Sequence, residues 1–166
     1  MAVAPAISVE EYLKTTYRPD CDYVDGGILE RNSGEKDHSA MQRRIVVYLC
    51  THFPAIAERV LPEQRVQVGA TRFRIPDICV LVPDAPEEQI IRTAPALCIE
   101  ILSRDDRMSA IMERVKDYFS MGVPVCWIVD PRKSEAWIAT PGLLAEPADR
   151  IMRAGNIELP LSALFA

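Results

Sequence analysis

The chain has 166 residues, of which 49% are hydrophobic and 26% are charged, the balance of a soluble globular protein with one sizeable core. No apolar run approaches the roughly 20 residues that a membrane span needs, and the segment Met1 to Ser8 lacks the basic and apolar regions of a secretory signal. These features exclude a disordered chain, a membrane protein and an obvious secreted protein, and they predict a single domain over residues 1–166.

The charge balance argues against non-specific nucleic-acid binding over the whole surface. Lys and Arg minus Asp and Glu gives 19 − 24 = −5, whereas phosphate binding needs a positive surface. Most of the basic residues are Arg, which suits bidentate contacts with phosphate or carboxylate groups. Any nucleic-acid site should therefore be a local patch.

The cysteines predict a reducing, cytoplasmic environment without a zinc site. Their number is odd, their spacings are wide and no C-x-x-C motif occurs. Four of them lie in apolar runs, where a reduced Cys packs as a small hydrophobic residue. The five positions are Cys21, Cys50, Cys79, Cys98 and Cys126.

The first half of the chain alternates predicted helices and strands. A capping box at Ser8 predicts a short helix to about Tyr17, and Asp25-Gly26-Gly27 predicts a hairpin turn. A helical pattern of apolar residues runs from about Asp37 to Phe53, where Pro54 stops it. Strand-like segments follow at Arg65 to Val68, Arg72 to Arg74 and Asp77 to Val82.

The second half predicts a strand–helix–strand unit. The apolar runs Ala96 to Leu102 and Val125 to Val129 are typical of buried strands. Between them, Ser103 to Asp106 is predicted to cap a helix that ends at Gly122. The crossover should be right-handed with parallel strands, and Glu135 to Ala139 should return as an antiparallel strand. The pattern indicates an α/β fold with a mixed sheet and helices on its faces.

Two acids stand in apolar strands, where an ionised carboxylate is costly unless it is paired, hydrogen-bonded or bound to a metal. Asp77 opens one apolar run and Glu100 interrupts the next. If Val82 pairs with Leu97 in an antiparallel ladder, Cys79 lies opposite Glu100, and the two acids are diagonal neighbours on one face. Two carboxylates so placed can bind a divalent cation such as Mg²⁺.

The alternative is that each acid pairs with a buried arginine, for which Arg74, Arg107 and Arg114 are the candidates. On the helix after Glu100, Arg107 and Arg114 border one side of the apolar stripe and Lys116 borders the other, at an angle of about 200° from Arg114. Both edges cannot reach one site. A phosphate-binding edge should collect more than one guanidinium, so we predict that Arg114 points toward Glu100 and that Lys116 points to solvent or a neighbouring acid.

Several segments together resemble the Uma family of predicted restriction endonucleases, which belongs to the PD-(D/E)XK nuclease superfamily. The order and spacing of the matching strings carry the resemblance, and Tyr118, Gly122-Val123-Pro124, Asp22-Tyr23-Val24-Asp25-Gly26 and His38 extend it. The main strings are Ile75-Pro76-Asp77-Ile78-Cys79-Val80, Cys98-Ile99-Glu100-Ile101-Leu102-Ser103 and Trp127-Ile128-Val129-Asp130-Pro131. The resemblance implies a restriction-endonuclease-like mixed β-sheet flanked by α-helices and a DNA endonuclease dependent on Mg²⁺ or Mn²⁺.

The resemblance also implies roles for particular residues. Asp77 and Glu100 would be the metal ligands, and Asp22, at the position of an N-terminal acid, would be an additional ligand in the catalytic site, direct or through water. Leu102 stands where the superfamily has a Lys, and the basic residue that relatives carry in the following helix falls on Arg114, with Lys116 two residues on. An Arg cannot give up a proton at neutral pH, so slow cleavage is expected. His38 matches the family's His and would contact the substrate. The helix pattern, not the resemblance, adds Arg107 as a second substrate contact, because it lies on the same edge as Arg114.

Two other classes of function stay open from the sequence. One is a catalytically inactive nuclease fold that binds nucleic acid or a protein partner. The other is a structural or assembly module in which Asp77 and Glu100 form internal salt bridges. The sequence further predicts a homodimer, because two sites related by a two-fold axis can cut both strands of a duplex, with Pro141 to Pro147 and the apolar tail Leu159 to Phe165 as possible interface segments.

Overall fold

The structure, a computed structural model, describes residues 6–31 and 34–165. The first five residues of the segment Met1 to Ser8, in which the sequence analysis looked for a secretory signal, lie outside the described residues. The α-helices are α1 Val9–Lys14, α2 Lys36–His52 and α3 Met108–Met121, with 3₁₀ helices at Pro54–Arg59 and Leu161–Ala163. The strands are β1 Cys21–Val24, β2 Gly27–Glu30, β3 Val60–Pro62, β4 Val66–Gly69, β5 Arg72–Arg74, β6 Ile78–Val80, β7 Leu97–Ile101, β8 Cys126–Asp130, β9 Glu135–Thr140, β10 Leu143–Ala145, β11 Ile151–Ala154 and β12 Ile157–Pro160. None of the described helices is both long enough and apolar enough to cross a bilayer.

A six-stranded mixed sheet forms the centre, in the order β10-β9-β8-β7-β6-β3. Strands β7 and β8 pair in parallel and are joined through α3, whereas their outer neighbours pair antiparallel. All residues of β7 and β8 are buried, which explains their almost continuous apolar sequences. The predicted strand–helix–strand unit, the antiparallel return strand and the α/β class are confirmed.

A smaller antiparallel sheet has the strand order β2-β1-β5-β4, and its strand β1 contains Asp22. Its β1–β2 hairpin turns through Asp25 and Gly26, whose φ angles are 49° and 93°. Positive φ at both central residues defines the turn that matches strand twist. At Gly26 a Cβ atom would lie 2.8 Å from the Cβ of Ala6, so a side chain is excluded there.

The two faces of the central sheet are covered by different helices. Met41, Ile45 and Leu49 of α2 pack on the face formed by alternate residues such as Ile99 and Ile101, together with the β11–β12 hairpin. The opposite face is covered by α3, whose apolar stripe contacts the sheet's cysteines. Glu100 alternates with Ile99 and Ile101 and therefore faces α3.

The C-terminal tail is part of this core, so its predicted role as an interface segment is wrong. Leu159, Leu161 and Leu164 are at most 3% exposed and pack in the same cluster as α2. Arg44 of α2 also donates a hydrogen bond of 2.8 Å to the carbonyl of Leu164. The tail covers its own domain and offers little apolar surface to a partner.

The assumed pairing of β6 with β7 is wrong by two residues. Val80, not Val82, lies opposite Leu97, and Cys79 lies opposite Cys98. The reason is that β6 is short, because the chain leaves the ladder after Val80. A shift of two residues keeps every side chain on its face, so the shared face of the two acids is retained.

The start of α3 also differs from the prediction. The side chain of Asp106 accepts a hydrogen bond from the backbone N–H of Ser103 at 2.8 Å, and the Asp106 N–H donates to the Ser103 carbonyl at 3.2 Å. Ser103 to Asp106, which the sequence predicts to cap α3, therefore form a separate turn before the helix. The helix begins later, at Met108, and its N-cap Arg107 gives no side-chain cap. Gly122 ends it as predicted, with a φ of 109°.

Candidate active site

Asp77 lies immediately before β6 and is held by hydrogen bonds on both carboxylate oxygens. Its side chain is 3% exposed. Oδ2 accepts a hydrogen bond from the backbone N–H of Ile101 at 2.6 Å. Oδ1 lies 2.5 Å from Arg31 Nη2 and 3.2 Å from His38 Nε2. Burial alone would raise the pKa of Asp77, but the His38 hydrogen bond and the charge of Arg31 outweigh it and lower this pKa.

Glu100 lies in the middle of β7 and is completely buried. Its Oε1 accepts a hydrogen bond from the Tyr118 hydroxyl at 2.5 Å, and its Oε2 accepts one from Arg114 Nη1 at 2.9 Å. Burial penalises the charged carboxylate more than Arg114 favours it, and the charge of Asp77 adds to the penalty, so the pKa of Glu100 is raised to about 7. Near neutral pH this group can hold or release a proton.

Asp77, immediately before β6, and Glu100, in the neighbouring strand β7, lie on the same face of the sheet. Ile78 pairs with Ile99, so the ladder continued by one residue places Asp77 opposite Glu100. The charge of Asp77 acts on Glu100 and raises its pKa. The predicted shared sheet face is confirmed, although Asp77 lies one residue outside β6. That the two carboxyl groups are near enough to share a divalent ion stays a prediction.

Both acids are also paired with arginines, as the alternative interpretation expected, but the partner of Asp77 was not among the candidates. Arg31 follows β2 and is ion-paired with both Asp77 and Glu63. Glu63 has a positive φ of 52°, and its N–H donates to the Asp77 carbonyl at 3.1 Å. Gln42 of α2 donates to that same carbonyl at 2.9 Å and to the Glu63 carboxylate at 2.8 Å. Glu63 and Gln42 thus fix the backbone of Asp77.

His38 lies in the first turn of α2, and the structure brings it to the acids. Its side chain is 14% exposed and its Nε2 faces Asp77. Burial on its own would lower the pKa of His38, but the hydrogen bond to Asp77 and the charge of that carboxylate raise it overall. His38 is therefore more readily protonated here than a free imidazole, and it can present a positive charge to an anion in the adjoining cleft.

Asp22, on β1, reaches the site through the arginines. Its Oδ1 accepts a hydrogen bond from the backbone N–H of Ile75 at 3.0 Å, which ties β1 to the segment leading into Asp77. Its Oδ2 lies 3.0 Å from Arg74 Nη1 and 3.5 Å from Arg114 Nε. These contacts orient Arg114 between Asp22 and Glu100.

The two candidate cations of α3 point in different directions. Arg114 is directed at Glu100, whereas Lys116 is 69% exposed and pairs with Glu113 at 3.3 Å on the surface. The predicted orientation of both side chains is confirmed. Lys116, which was also a candidate catalytic residue, is therefore corrected to a surface residue, because the helical period turns it away from the sheet.

Arg107 was a candidate for binding substrate beside Arg114. The structure makes it the exposed N-cap residue of α3, and within the described ranges no ion pair joins its side chain to either acid. The neighbouring loop does reach the site. Ser103 and Asp106 line a small cleft with Arg31, His38, Asp77, Ile101 and Arg114. Arg107 thus lies beside the cleft, where it can contact only a ligand that extends beyond it.

Asp77 and Glu100 have the type of ligand atom that a divalent cation such as Mg²⁺ prefers. Carboxylate oxygens are hard ligands, and Mg²⁺ commonly uses one or two of them and completes its shell with water and phosphate. Within the described parts of the chain, no third His, Cys, Asp or Glu joins them to form a three-residue metal cluster. Glu100 and Asp77 Oδ2 each accept fewer hydrogen bonds here than their lone pairs allow. The residues therefore fit an ion with two protein ligands, next to the oxygen that Arg31 and His38 contact.

Sequence reasoning missed Arg31, Glu63 and Tyr118 as functional contacts. Tyr118 carried a signal, since it belongs to the apolar stripe that Arg114 borders and follows Arg114 by four residues, about one helical turn. The sequence contains no signal for Arg31 or Glu63, because each of them contacts Asp77 only through packing between distant parts of the chain or through backbone geometry.

Comparisons with known proteins identify the family of this chain and relatives of its fold. Residues 9–161 match the model of the Uma2 family, described as "Putative restriction endonuclease". An uncharacterized protein of Synechocystis sp. is 31% identical over 105 residues, 60% of this chain and 55% of that protein, so the chain spans about half the length of this curated relative. A crystal structure described as "a putative nuclease belonging to DUF820" from Anabaena variabilis covers 96% of this chain and 97% of its own, with a TM-score of 0.81 and 22% identity. The last likeness shows the fold.

Proposed function

The chain belongs to the Uma2 family, and on that premise we propose that it is a metal-dependent endonuclease that hydrolyses phosphodiester bonds of DNA. The observation that carries the proposal is a pair of buried acids on one sheet face, Asp77 immediately before β6 and Glu100 in β7, with Arg114 bound to Glu100. Buried acids of this kind are costly to a fold, so two of them on one sheet face, with Asp77 lining the cleft, favour a chemical role.

Asp77 and Glu100 would hold Mg²⁺ or Mn²⁺, and such an ion, when bound, supplies Lewis-acid activation of water and neutralisation of phosphoryl charge. The protein's contribution is to fix both carboxylates. Backbone contacts from Ile101 and Glu63 hold Asp77, and the Tyr118 hydroxyl holds Glu100. Fixed groups of this kind need little reorganisation during the reaction.

The cationic side chains would bind and orient the scissile phosphate. Arg114 keeps its charge at every accessible pH, so it can stabilise a phosphate but cannot act as a base. His38 has a raised pKa and faces the cleft, which suits donation of a hydrogen bond to a phosphoryl oxygen. Without a titratable cation in the position of Arg114, slow turnover is expected.

DNA as substrate is supported by a local concentration of arginines on a chain of negative net charge. Arg104 and Arg107 are exposed on the loop that borders the cleft. Arg132 donates a hydrogen bond of 3.2 Å to the Ser103 carbonyl and so lies against the same loop. A few guanidiniums at one cleft can contact successive phosphates even when the rest of the surface is acidic.

The same contacts favour one second candidate, a nuclease fold that binds DNA without cutting it. Asp77 and Glu100 each have a guanidinium partner within hydrogen-bond distance, so the site is electrostatically satisfied without a metal. Incubation of the protein with covalently closed plasmid separates the two functions. Nicking that requires Mg²⁺ or Mn²⁺ and stops with a chelator supports the nuclease, whereas a salt-sensitive mobility shift without nicking supports the binding protein.

We further propose a homodimer in a reducing, cytoplasmic environment. The five free cysteines support such a compartment. With the C-terminal tail packed in the core, the remaining candidate interface is the segment Pro141 to Pro147. It contains β10, the edge of the central sheet, where Leu143 and Leu144 are 62% and 38% exposed. Exposed apolar residues on an edge strand are suited to pairing with a second copy.

A further inference from the structure

Arg31 stands out among the arginines of the site because its position is incompletely satisfied. Its side chain is 8% exposed, yet its Nε has no hydrogen-bond partner among residues 6–31 and 34–165. Arg74 and Arg114 also bridge two acids each, but the Nε of each of them lies near a carboxylate. A buried donor without a partner costs free energy, so Arg31 is held mainly by the charges of Asp77 and Glu63.

The guanidinium of Arg31 lies close enough to Asp77 to repel a cation bound to that carboxylate. Its Nη2 is 2.5 Å from Asp77 Oδ1, an oxygen that also accepts from His38. These two contacts use both lone pairs of Oδ1. A divalent cation that takes Oδ1 must displace Arg31, and one that takes Oδ2 instead lies within a few ångströms of a fixed positive charge.

The charge balance of the cleft leads to the same conclusion. Arg31 supplies a permanent positive charge in direct contact with Asp77 and shares it with Glu63, and Arg114 is shared in the same way between Glu100 and Asp22. Without Arg31, Asp77 would keep only neutral or titratable partners, namely the Ile101 N–H and His38. A bound divalent cation would supply the positive charge that Asp77 then lacks.

We propose that Arg31 is the counter-ion of Asp77 in the metal-free protein and competes with the divalent cation for that carboxylate, so that Arg31 sets the affinity of the protein for metal. This inference rests on the proposed function, because it requires Asp77 to be a metal ligand. Arg31 keeps the acid ionised and in place when no metal is present, and metal binding at Asp77 weakens or displaces its contact with Oδ1.

The test is a calorimetric titration of Mn²⁺ into the full chain without DNA, so that no activity is measured. The variants are Arg31→Met and a matched control, Arg65→Met. Arg65 also has a partnerless Nε and pairs with an aspartate, Asp20, at 2.9 Å, but it contacts neither Asp77 nor Glu100. The control therefore removes an equal charge from the same part of the protein without vacating the site.

We expect Arg31→Met to bind Mn²⁺ on the order of tenfold more tightly than the wild type, the scale on which neighbours of a ligand tune metal affinity, and Arg65→Met to bind as the wild type does. Equal affinities in the wild type and Arg31→Met would overturn the inference and leave the proposed metal site standing. Absence of Mn²⁺ binding in all three proteins would overturn the proposed metal site and the inference with it.

A second measurement uses only the wild type, in case Arg31→Met does not fold. The Arg31 Nε–H resonance can be followed by nuclear magnetic resonance while Mg²⁺ is added. A group that leaves its buried position should change its chemical shift and lose protection from hydrogen exchange as the site fills. An unchanged Arg31 resonance in a protein whose Asp77 and Glu100 signals do respond to Mg²⁺ would contradict the competition.

Discussion

The hydroxyl of Tyr118 donates a hydrogen bond of 2.5 Å to the carboxylate of Glu100, one turn along α3 from the arginine that contacts the same carboxylate. Both partners come from the helix that covers this face of the sheet, and Glu100 is completely buried between helix and strand. The helix therefore affects the pKa of Glu100 in two ways: it buries the carboxyl group, which raises the pKa, and it supplies Arg114 and Tyr118, which lower it. Several measurable consequences follow from the contacts of this acid and its neighbours.

We predict that the side-chain carboxyl carbon of Glu100 titrates with a midpoint near pH 7 in the metal-free protein. The pKa of Glu100 is raised from 4.5 to about 7, chiefly by burial. Between these values the folded protein keeps a proton that the unfolded chain has released, so this residue's contribution to the free energy of unfolding falls as the pH rises through the window, by up to about 3 kcal/mol. A midpoint near pH 4.5 by carbon-detected magnetic resonance would contradict the prediction.

Arg114→Lys should preserve or raise DNA cleavage, because it keeps a positive charge near Glu100 and introduces a group that can transfer a proton. Arg114→Ala should reduce cleavage and destabilise the fold by about 3–5 kcal/mol, since it leaves Asp22 and Glu100 buried without this partner. Initial cleavage rates and chemical denaturation measure the two effects.

Lys116→Ala is the control for these variants, because its surface pair with Glu113 is exposed and remote from the acids. It should change both rate and stability little. Loss of cleavage in Lys116→Ala, with Arg114→Ala unaffected, would reverse the assignment of the helix cation.

Asp117→Asn should destabilise the protein by about 3 kcal/mol. Asp117 is a buried residue of α3 whose carboxylate lies 2.7 Å from Arg72 and 2.7 Å from Arg74. Loss of its charge leaves Arg74 with Asp22 as its remaining partner. Glu113→Gln, an exposed substitution on the same helix, should change the free energy of unfolding by less than about 1 kcal/mol. Equal effects of the two substitutions in urea denaturation would show that the buried network adds no stability.

The proposed homodimer predicts that the protein sediments as a dimer at micromolar concentrations. Replacement of Leu143 and Leu144 by Ser should shift the population to monomer without loss of helical content, because these residues lie on an exposed edge strand rather than in the core. A wild-type protein that sediments as a monomer throughout this range would count against the interface.

The sequence predicts most of the central architecture because its signals are local. Buried parallel strands read as the apolar runs of β7 and β8, and Gly122 marks the end of α3. Asp77 and Glu100 stand out because each interrupts or borders such a run. Their shared face survives an error of two residues in register, since the side-chain period of a strand is two.

The contacts made over long sequence distances were not predictable in this way. Arg31 meets Asp77 across 46 residues, and it follows a hairpin strand that is largely exposed to solvent. The helix start was misplaced because Asp106 bonds the backbone of Ser103 and closes a turn, which residue type alone does not distinguish from a helix cap. Tertiary packing decides the first contact, whereas the second is local and depends on whether Asp106 closes a turn or caps the helix.

The most direct test of the central claim, that Asp77 and Glu100 form the site of a metal-dependent nuclease, is plasmid nicking by Asp77→Asn and Glu100→Gln beside the wild type and Asp149→Asn, an exposed carboxylate paired only with Arg153 in the described structure. With Mg²⁺ or Mn²⁺ present, we predict nicking by the wild type and Asp149→Asn, and a loss of at least about 100-fold in both site variants. Nicking by Asp77→Asn and Glu100→Gln at the wild-type rate, or nicking that persists in excess chelator, would contradict the claim.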